Sequence, residues 1–243
     1  MILATDLDGT FLGGDDSHKK LLYRLFKDPR DNQLIFVTGR GLDSVRSVLL
    51  DSEVPRPDYV IGDVGATVVD GKTFQPIKPL QKSIAERWPG RGKIEEMLSN
   101  LNGLVAQDVP QHRRCSYYVD DQAVLEQVKL NLSSMPVEII YSADKFLDIL
   151  PQGVNKGSSL KALIKYLGLD PLEVIVAGDT LNDLTMFQCG FKGVAVGNSE
   201  IKLLESINGT TDTFVATSAG AGGILEALLH FRIMRQHTID YLL

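Results

Sequence analysis

Asp6 and Asp8 stand two residues apart at the end of the apolar run Ile2-Leu3-Ala4, and Gly9 and Thr10 follow them. Such a run reads as a buried strand, here Ile2 to Asp8, and in open parallel α/β sheets reactive groups gather beyond the carboxyl ends of the strands. Along an extended strand residues i and i+2 share a face, so both carboxylates can reach one ligand. Gly9 lets the backbone turn and approach that ligand closely. Two acids in one site resist ionising together, and their environments separate their pKa values. One can then attack or bind metal while the other moves a proton. The same residues also fit an acidic turn after a first strand, with Asp8 as a turn or cap residue.

Three further segments offer related chemistry. Phe36-Val37-Thr38-Gly39-Arg40 presents a hydroxyl, exposed N–H groups and a helix N-terminus, all suited to phosphate oxygens; a Thr N-cap with Gly in the turn is the alternative. Lys156 falls in the first turn of a helix opened by Asn155, where a cation opposes the macrodipole. An anion site tolerates that violation, although a solvated surface position is the commoner fate of a lysine. In Val174 to Asp183 an apolar strand again delivers carboxylates, with Asp179 and Asp183 one helical turn apart and Asn182 between them. Hard oxygen donors of this kind suit Mg²⁺ together with a substrate phosphate. Asp183 alone is equally readable as a charge partner of a helix N-terminus. Four separate caps are a poor account of all four segments.

The elements that must position these groups alternate. Ile2–Asp8, Gln33–Thr38 and Tyr59–Ile61 read as strands, with helices over Lys19–Lys27 and Leu42–Leu50 between them. Ala66–Val69, the turn Asp70-Gly71 and Thr73-Phe74 read as a small hairpin. From Pro79 the pattern changes to helices near 91–100 and 121–133 among strands near 116–119, 137–141 and 146–150. A helix from Asn155 to Leu167, a strand over Glu173–Ala177, a helix over Leu181–Cys189, strands near 193–196 and 213–215 and a last helix from Ala219 then restore the first pattern. The expected architecture is α/β, a doubly wound parallel-sheet, Rossmann-like core interrupted by an inserted α+β cap. Residues 1–78 and 154–243 would form the core and 79–153 the cap.

Composition narrows the classes. The 243 residues are 44% hydrophobic and hold no run near the ~20 apolar residues of a membrane span. Met1 leads directly into the first strand without a leader pattern, and the two cysteines, Cys115 and Cys189, are too few for a disulfide framework. A cytoplasmic protein is expected, with both thiols as core residues. A net charge of -6 argues against a general nucleic-acid surface. His18, His112, His230 and His237 lack metal-site spacing.

Asp-Leu-Asp-Gly-Thr, Thr-Gly-Arg, Asn-Lys-Gly and Gly-Asp-x-x-Asn-Asp occur in this order, with an insert between the second and the third. This set resembles the haloacid dehalogenase superfamily of phosphohydrolases, and the insert resembles its larger C2 (IIB) cap type. The resemblance implies that Asp6 attacks phosphorus to form an aspartyl-phosphate, and that Asp8 protonates the leaving oxygen and then activates water. It implies Mg²⁺ held by Asp6, the Asp8 carbonyl and Asp179, with Asp183 as ligand or holder. Thr38, Gly39, Arg40, Lys156 and Asn182 would contact the phosphate or substrate and balance charge on the transferring oxygens.

Substrate choice rests on weaker likenesses. Arg114–Asp120, Leu147–Gln152 and Ser218–Phe231 look most like sucrose-phosphate phosphatases. In that family a lysine usually stands where Arg114 does, and the residues before Asn155 are more polar than Gly153-Val154. Arg114, Asp148 and Gln152 are the candidates for sugar hydroxyl contacts, with a salt bridge, a turn contact or cap packing as the alternatives for each. The substrate class implied is a sugar phosphate, foremost a disaccharide phosphate such as sucrose 6-phosphate. Mannosylfructose phosphate, glucosylglycerol phosphate, a broad monosaccharide-phosphate phosphatase and a phosphosugar mutase are the alternatives. A phospho-aspartate receiver is disfavoured by the insert and the Asp-x-Asp pair. A monomer or weak dimer is expected, with neither nucleic acid nor membrane as partner.

Overall fold

A computed structural model describes residues 1–27, 32–210 and 212–234; His237 lies outside them. In chain order the elements are β1 (Ile2–Thr5), α1 (Asp16–Arg24), β2 (Gln33–Val37), α2 (Leu42–Val48), β3 (Tyr59–Gly62), β4 (Thr67–Asp70), α3 (Lys78–Arg87), α4 (Arg91–Leu98), β5 (Val105–Ala106) and β6 (Cys115–Tyr118). There follow α5 (Gln122–Asn131), β7 (Val137–Ser142), β8 (Phe146–Pro151), α6 (Lys156–Leu167), β9 (Val174–Gly178), α7 (Leu184–Phe187), β10 (Lys192–Ala195), α8 (Ile201–Ile207), β11 (Thr213–Val215) and α9 (Ala221–His230).

Seven strands form one sheet in the order β11-β10-β9-β1-β2-β3-β4, parallel throughout except for β4, which runs antiparallel to β3. Strands buried on both faces read as continuous apolar runs, and Ile-Leu-Ala-Thr and Val-Ile-Val-Ala-Gly do so. Their residues alternate between two cores. Leu3 and Phe36 pack with Leu22 of α1, Val45 of α2 and Ile224 of α9. Ile2 and Ala4 pack on the opposite face with Leu160 and Leu163 of α6, Phe187 of α7 and Leu203 of α8. The chain leaves β1 for β2 on one side and returns as β9 on the other, so a crevice opens between the carboxyl ends of β1 and β9.

The expected hairpin after Gly65 takes a different form. Its first arm, β4, joins the main sheet as an edge strand. Thr73-Phe74 lies in the turn, where Phe74 has φ 56°, and only a single bridge from Val69 to Pro76 returns along the arm. Gln81 covers part of this edge, its amide accepting from the Val68 N–H at 2.9 Å and donating to the Ala66 carbonyl at 3.0 Å.

A second, antiparallel sheet has the order β5-β6-β8-β7. Period-two alternation divides its faces. Cys115, Leu147 and Ile149 pack with Ile94 and Leu98 of α4 and Leu125 and Val128 of α5, closing a separate core on which Trp88 also rests. Phe146 and Asp148 point to the other side, toward the crevice of the main sheet. α3 lays Ile84 and Leu80 against the main-sheet core instead. No helix among the described residues is long and apolar enough to cross a membrane.

Candidate active site

The first strand ends at Thr5, three residues earlier than the apolar run suggests. The Asp6 N–H donates to the Ala177 carbonyl at 2.9 Å, which ties the end of β1 to β9. The chain then makes a wide turn in which the N–H groups of Phe11 and Leu12 reach back to the carbonyls of Asp6 and Leu7, with Gly9 at φ 79° inside it. Asp6 and Asp8 therefore do not share a strand face. The Asp6 side chain is 8% exposed and that of Asp8 60%.

Asp6 Oδ1 accepts from Lys156 Nζ at 2.7 Å, and the same ammonium donates to Asp183 Oδ1 at 2.7 Å. Lys156 is wholly buried because α6 begins at the sheet: Asn155 caps it, accepting from the Ser158 N–H at 2.8 Å, while Ser158 Oγ accepts from the Asn155 N–H. Gly157 permits the approach, since a Cβ there would stand 2.0 Å from the Thr185 carbonyl oxygen. Asp183 Oδ2 accepts from the N–H groups of Asp179 and Thr180, both at 3.0 Å. Asp179 accepts from the Thr10 hydroxyl at 2.9 Å and from the Asn198 amide at 3.3 Å. One carboxylate oxygen from each of Asp6, Asp179 and Asp183 lies within 4.8 Å of the others.

Three buried carboxylates around one ammonium leave the cluster short of positive charge. Burial, opposed by Lys156 and reinforced by Asp183 and Asp179, pushes Asp6 up to about 8. Burial and the Asp183 charge push Asp179 up to about 7. Burial alone would lower Lys156, but Asp183 and Asp6 outweigh it and hold its pKa above the ordinary lysine value. Such a donor set fits a hard divalent cation, which would supply the missing charge. A Cβ on Gly9 would stand 2.1 Å from Asp179 Oδ2, so this glycine keeps the cradle open. Asp183, engaged by Lys156 and by Asp179 and Thr180, fits a holder of Lys156 and of the loop.

Asp8 turns to Arg40, whose Nε and Nη2 donate to its two carboxylate oxygens at 2.7 and 2.5 Å. The buried Thr38 accepts from the Arg40 N–H at 3.1 Å. A cavity of about 370 Å³ joins the two sheets, and Asp6, Asp8, Gly39, Arg40, Arg114, Asp148 and Asn182 all line it. Arg114 is 3% exposed and crosses from the second sheet to the first: its Nη1 donates to the Gly39 carbonyl at 2.8 Å and stands 3.8 Å from Asp148. Its Nη2 lies 3.2 Å from Asp63 Oδ1, in ion-pair contact but out of hydrogen-bonding alignment. Arg114 Nε and Nη2 and Asp63 Oδ1 are thus buried without hydrogen-bond partners. Asp148 accepts from Ser116 at 2.5 Å, and its burial, opposed by Arg114, raises its pKa.

Gln152 does not join this group. It is exposed beyond the end of β8, where its carbonyl accepts from Arg87. Conversely, Thr10, Asp63 and Asn198 belong to the site although sequence reasoning assigned them no role. Thr10 completes the Asp-Leu-Asp-Gly-Thr segment and was discoverable there; Asp63 and Asn198 sit in loops with no local pattern. His18, His112 and His230 stand outside the cavity, and His230 stacks on Phe214.

Several known proteins are similar to this chain. Over 240 residues, 98% of this chain, it is 47% identical to a glucosylglycerol-phosphate synthase of Pseudomonas anguilliseptica, of which it spans only 32%. It is 31% identical to a mannosylfructose-phosphate phosphatase of Agrobacterium fabrum, covering 95% of this chain and 96% of that one. The crystal structure of the sucrose-phosphatase of Synechocystis with sucrose and phosphate superposes with a TM-score of 0.86 at 29% identity, over 96% of this chain and 98% of that one. A subclass IIB sugar phosphatase of the haloacid dehalogenase superfamily shares the fold, with a TM-score of 0.66 at 17% identity over 96% and 99% of the two chains. The profile of sucrose-6F-phosphate phosphohydrolase matches residues 1–232, and the chain belongs to that family.

Proposed function

We propose that this chain is a Mg²⁺-dependent phosphatase that hydrolyses the phosphate monoester of a glycoside, with Asp6 as nucleophile. The observation that carries this reading is the buried Asp6 carboxylate, fixed by Lys156 at 2.7 Å in the wall of a cavity with Asp8, Arg40, Arg114 and Asp148. Asp6 attacks phosphorus in line, and the bond from phosphorus to the sugar oxygen breaks. Asp8 gives its proton to the leaving alkoxide. It then takes a proton from the water that attacks the aspartyl-phosphate, and the bond to Asp6 breaks to release inorganic phosphate. Lys156, the Thr38 hydroxyl and the Gly39 N–H balance charge on the transferring oxygens, since phosphoryl transfer depends mainly on positioning and electrostatics. Asp6 and Asp179, with Asp183 behind them, would hold the Mg²⁺, which supplies further charge neutralisation there.

The inserted segment 79–153 acts in this reading as a cap that excludes bulk water and selects the sugar. Phe146 and Asp148 on its cavity face, with Arg114, suit an apolar sugar face and hydroxyl groups. The identity to the glucosylglycerol-phosphate synthase favours glucosylglycerol phosphate, and the overlay on a sucrose-bound phosphatase favours sucrose 6-phosphate.

The test is Mg²⁺-dependent phosphate release from sucrose 6-phosphate, mannosylfructose phosphate, glucosylglycerol phosphate and common monosaccharide phosphates, with Asp6→Asn as control. Strong preference for one of the three glycoside phosphates is expected, together with loss of at least about a thousandfold in the control. Even turnover of monosaccharide phosphates would replace this reading with the broad-specificity one. Substantial release by Asp6→Asn would reject the nucleophile.

A further inference from the structure

The turn between β7 and β8 meets the main-sheet domain at Glu200 and Lys202. Ala143 and Asp144 in this turn have φ values of 51° and 48°, and Ser142 and Ala143 border the cavity. The Ala143 N–H donates to Glu200 Oε1 at 3.0 Å, and the Leu181 N–H donates to Glu200 Oε2 at 3.2 Å. The Glu200 N–H in turn donates to the Asp179 carbonyl at 2.8 Å. One residue therefore grips the insert, the backbone of Asp179 and the first residue of the turn Leu181–Asp183. Beside it Lys202 pairs with Asp144 across the same seam, an exposed contact of little strength by itself.

Glu200 precedes α8 as its N-cap residue, a position where Asn, Asp, Ser or Thr, and not the longer Glu, would bond the first N–H groups of the helix. It makes no such bond. Its two carboxylate oxygens instead join segments distant in sequence, Ala143 of the insert and Leu181 of the loop after β9.

We propose that Glu200 is a positioning residue that couples the seating of the insert to the alignment of the loop carrying Asp179, Asn182 and Asp183. The inference rests on the phosphatase reading above for its kinetic consequences. A sugar drawn against the Phe146 and Asp148 face brings Ala143 onto Glu200, and the same carboxylate then steadies Leu181. Substrates too small to engage the insert forgo this step.

Glu200→Ala tests it through amide hydrogen exchange and steady-state kinetics with Mg²⁺. Exchange at both Ala143 and Leu181 is expected to accelerate at least tenfold. KM for the preferred glycoside phosphate should rise about tenfold and its kcat fall several-fold, while KM and kcat for a small aryl phosphate change less than twofold. Glu200→Gln, with one acceptor oxygen in place of two, should protect one of the two amides and recover part of the loss. If Glu200→Ala does not fold, Glu200→Asp keeps the charge and cap position but is one methylene too short to span both donors, and should give the same pattern. Unchanged protection at either amide, or equal KM changes for the two substrates, overturns the coupling. Wild-type protein that releases no phosphate from any substrate overturns the phosphatase reading, while the exchange measurement still decides whether Glu200 bridges the two segments.

Discussion

Asp6, Lys156, Asp179 and Asp183 form a charge arrangement with a measurable pH signature. With metal chelated, Asp6 has a folded pKa of about 8 against an ordinary carboxyl value of 3.8, and Asp179 is shifted the same way, to about 7. Between these limits the folded chain binds more protons than the unfolded one, so both groups favour folding least at alkaline pH and their contribution falls as pH rises from about 4 to 8. The Tm of Asp6→Asn in chelator should therefore gain on that of the wild type between pH 5 and pH 8.5, and Mg²⁺ should raise the wild-type Tm more than that of the variant. A gap that widens in favour of the wild type as pH rises would contradict this. Lys156→Met strips the only ammonium from three buried carboxylates and should destabilise the fold by about 3–5 kcal/mol at neutral pH, less at pH 5, as read by urea denaturation. These four residues were legible because each sits at the end of an apolar strand or the start of a helix. Asn198 was not, because its contacts to Gly9 and Asp179 are made by the fold and leave no local trace.

At the scale of elements, tight approaches set the geometry. α6 can bring Lys156 under Asp6 only because Gly157 lies against the backbone of Thr185 at the start of α7. Gly157→Ala should cost about 1–3 kcal/mol in denaturant stability through overpacking, and should lower kcat by shifting Lys156. A variant with wild-type kcat would show that the helix can retreat without moving the ammonium. The long parallel strands and amphipathic helices were readable from apolar periodicity. α3 was missed because Pro79 reads as a break, whereas proline is well tolerated in the first turn of a helix. β5 is two exposed residues that only the neighbouring β6 organises, and no periodicity can announce it. The Asp-x-Asp spacing suggested a shared strand face, but the wide turn after Thr5 sends Asp8 to Arg40 instead.

For the molecule as a whole, the two sheets meet through Arg114, Glu200 and the cavity between them. Arg114→Ala would leave Asp63 and Asp148 buried without their cation, and should raise KM for the glycoside phosphate at least about tenfold. Turnover of a small aryl phosphate should change far less; equal loss on both would point to damage in the main-sheet domain. The sequence made the insert and its α+β character readable, but not the face it presents, because that face is set by the pairing of β6 with β8 that aligns Ser116 and Asp148. β1 lies between β2, from before the insert, and β9, from after it. During synthesis the first strand therefore emerges with one edge bare, and waits until the ribosome has delivered Val174–Gly178. By then the antiparallel sheet and its separate core are already out and free to fold. An incomplete chain has Asp6 but neither Asp179 nor Asp183 beside it, so a stalled product has no assembled acid cluster, and its unpaired β1 edge is where aggregation would begin.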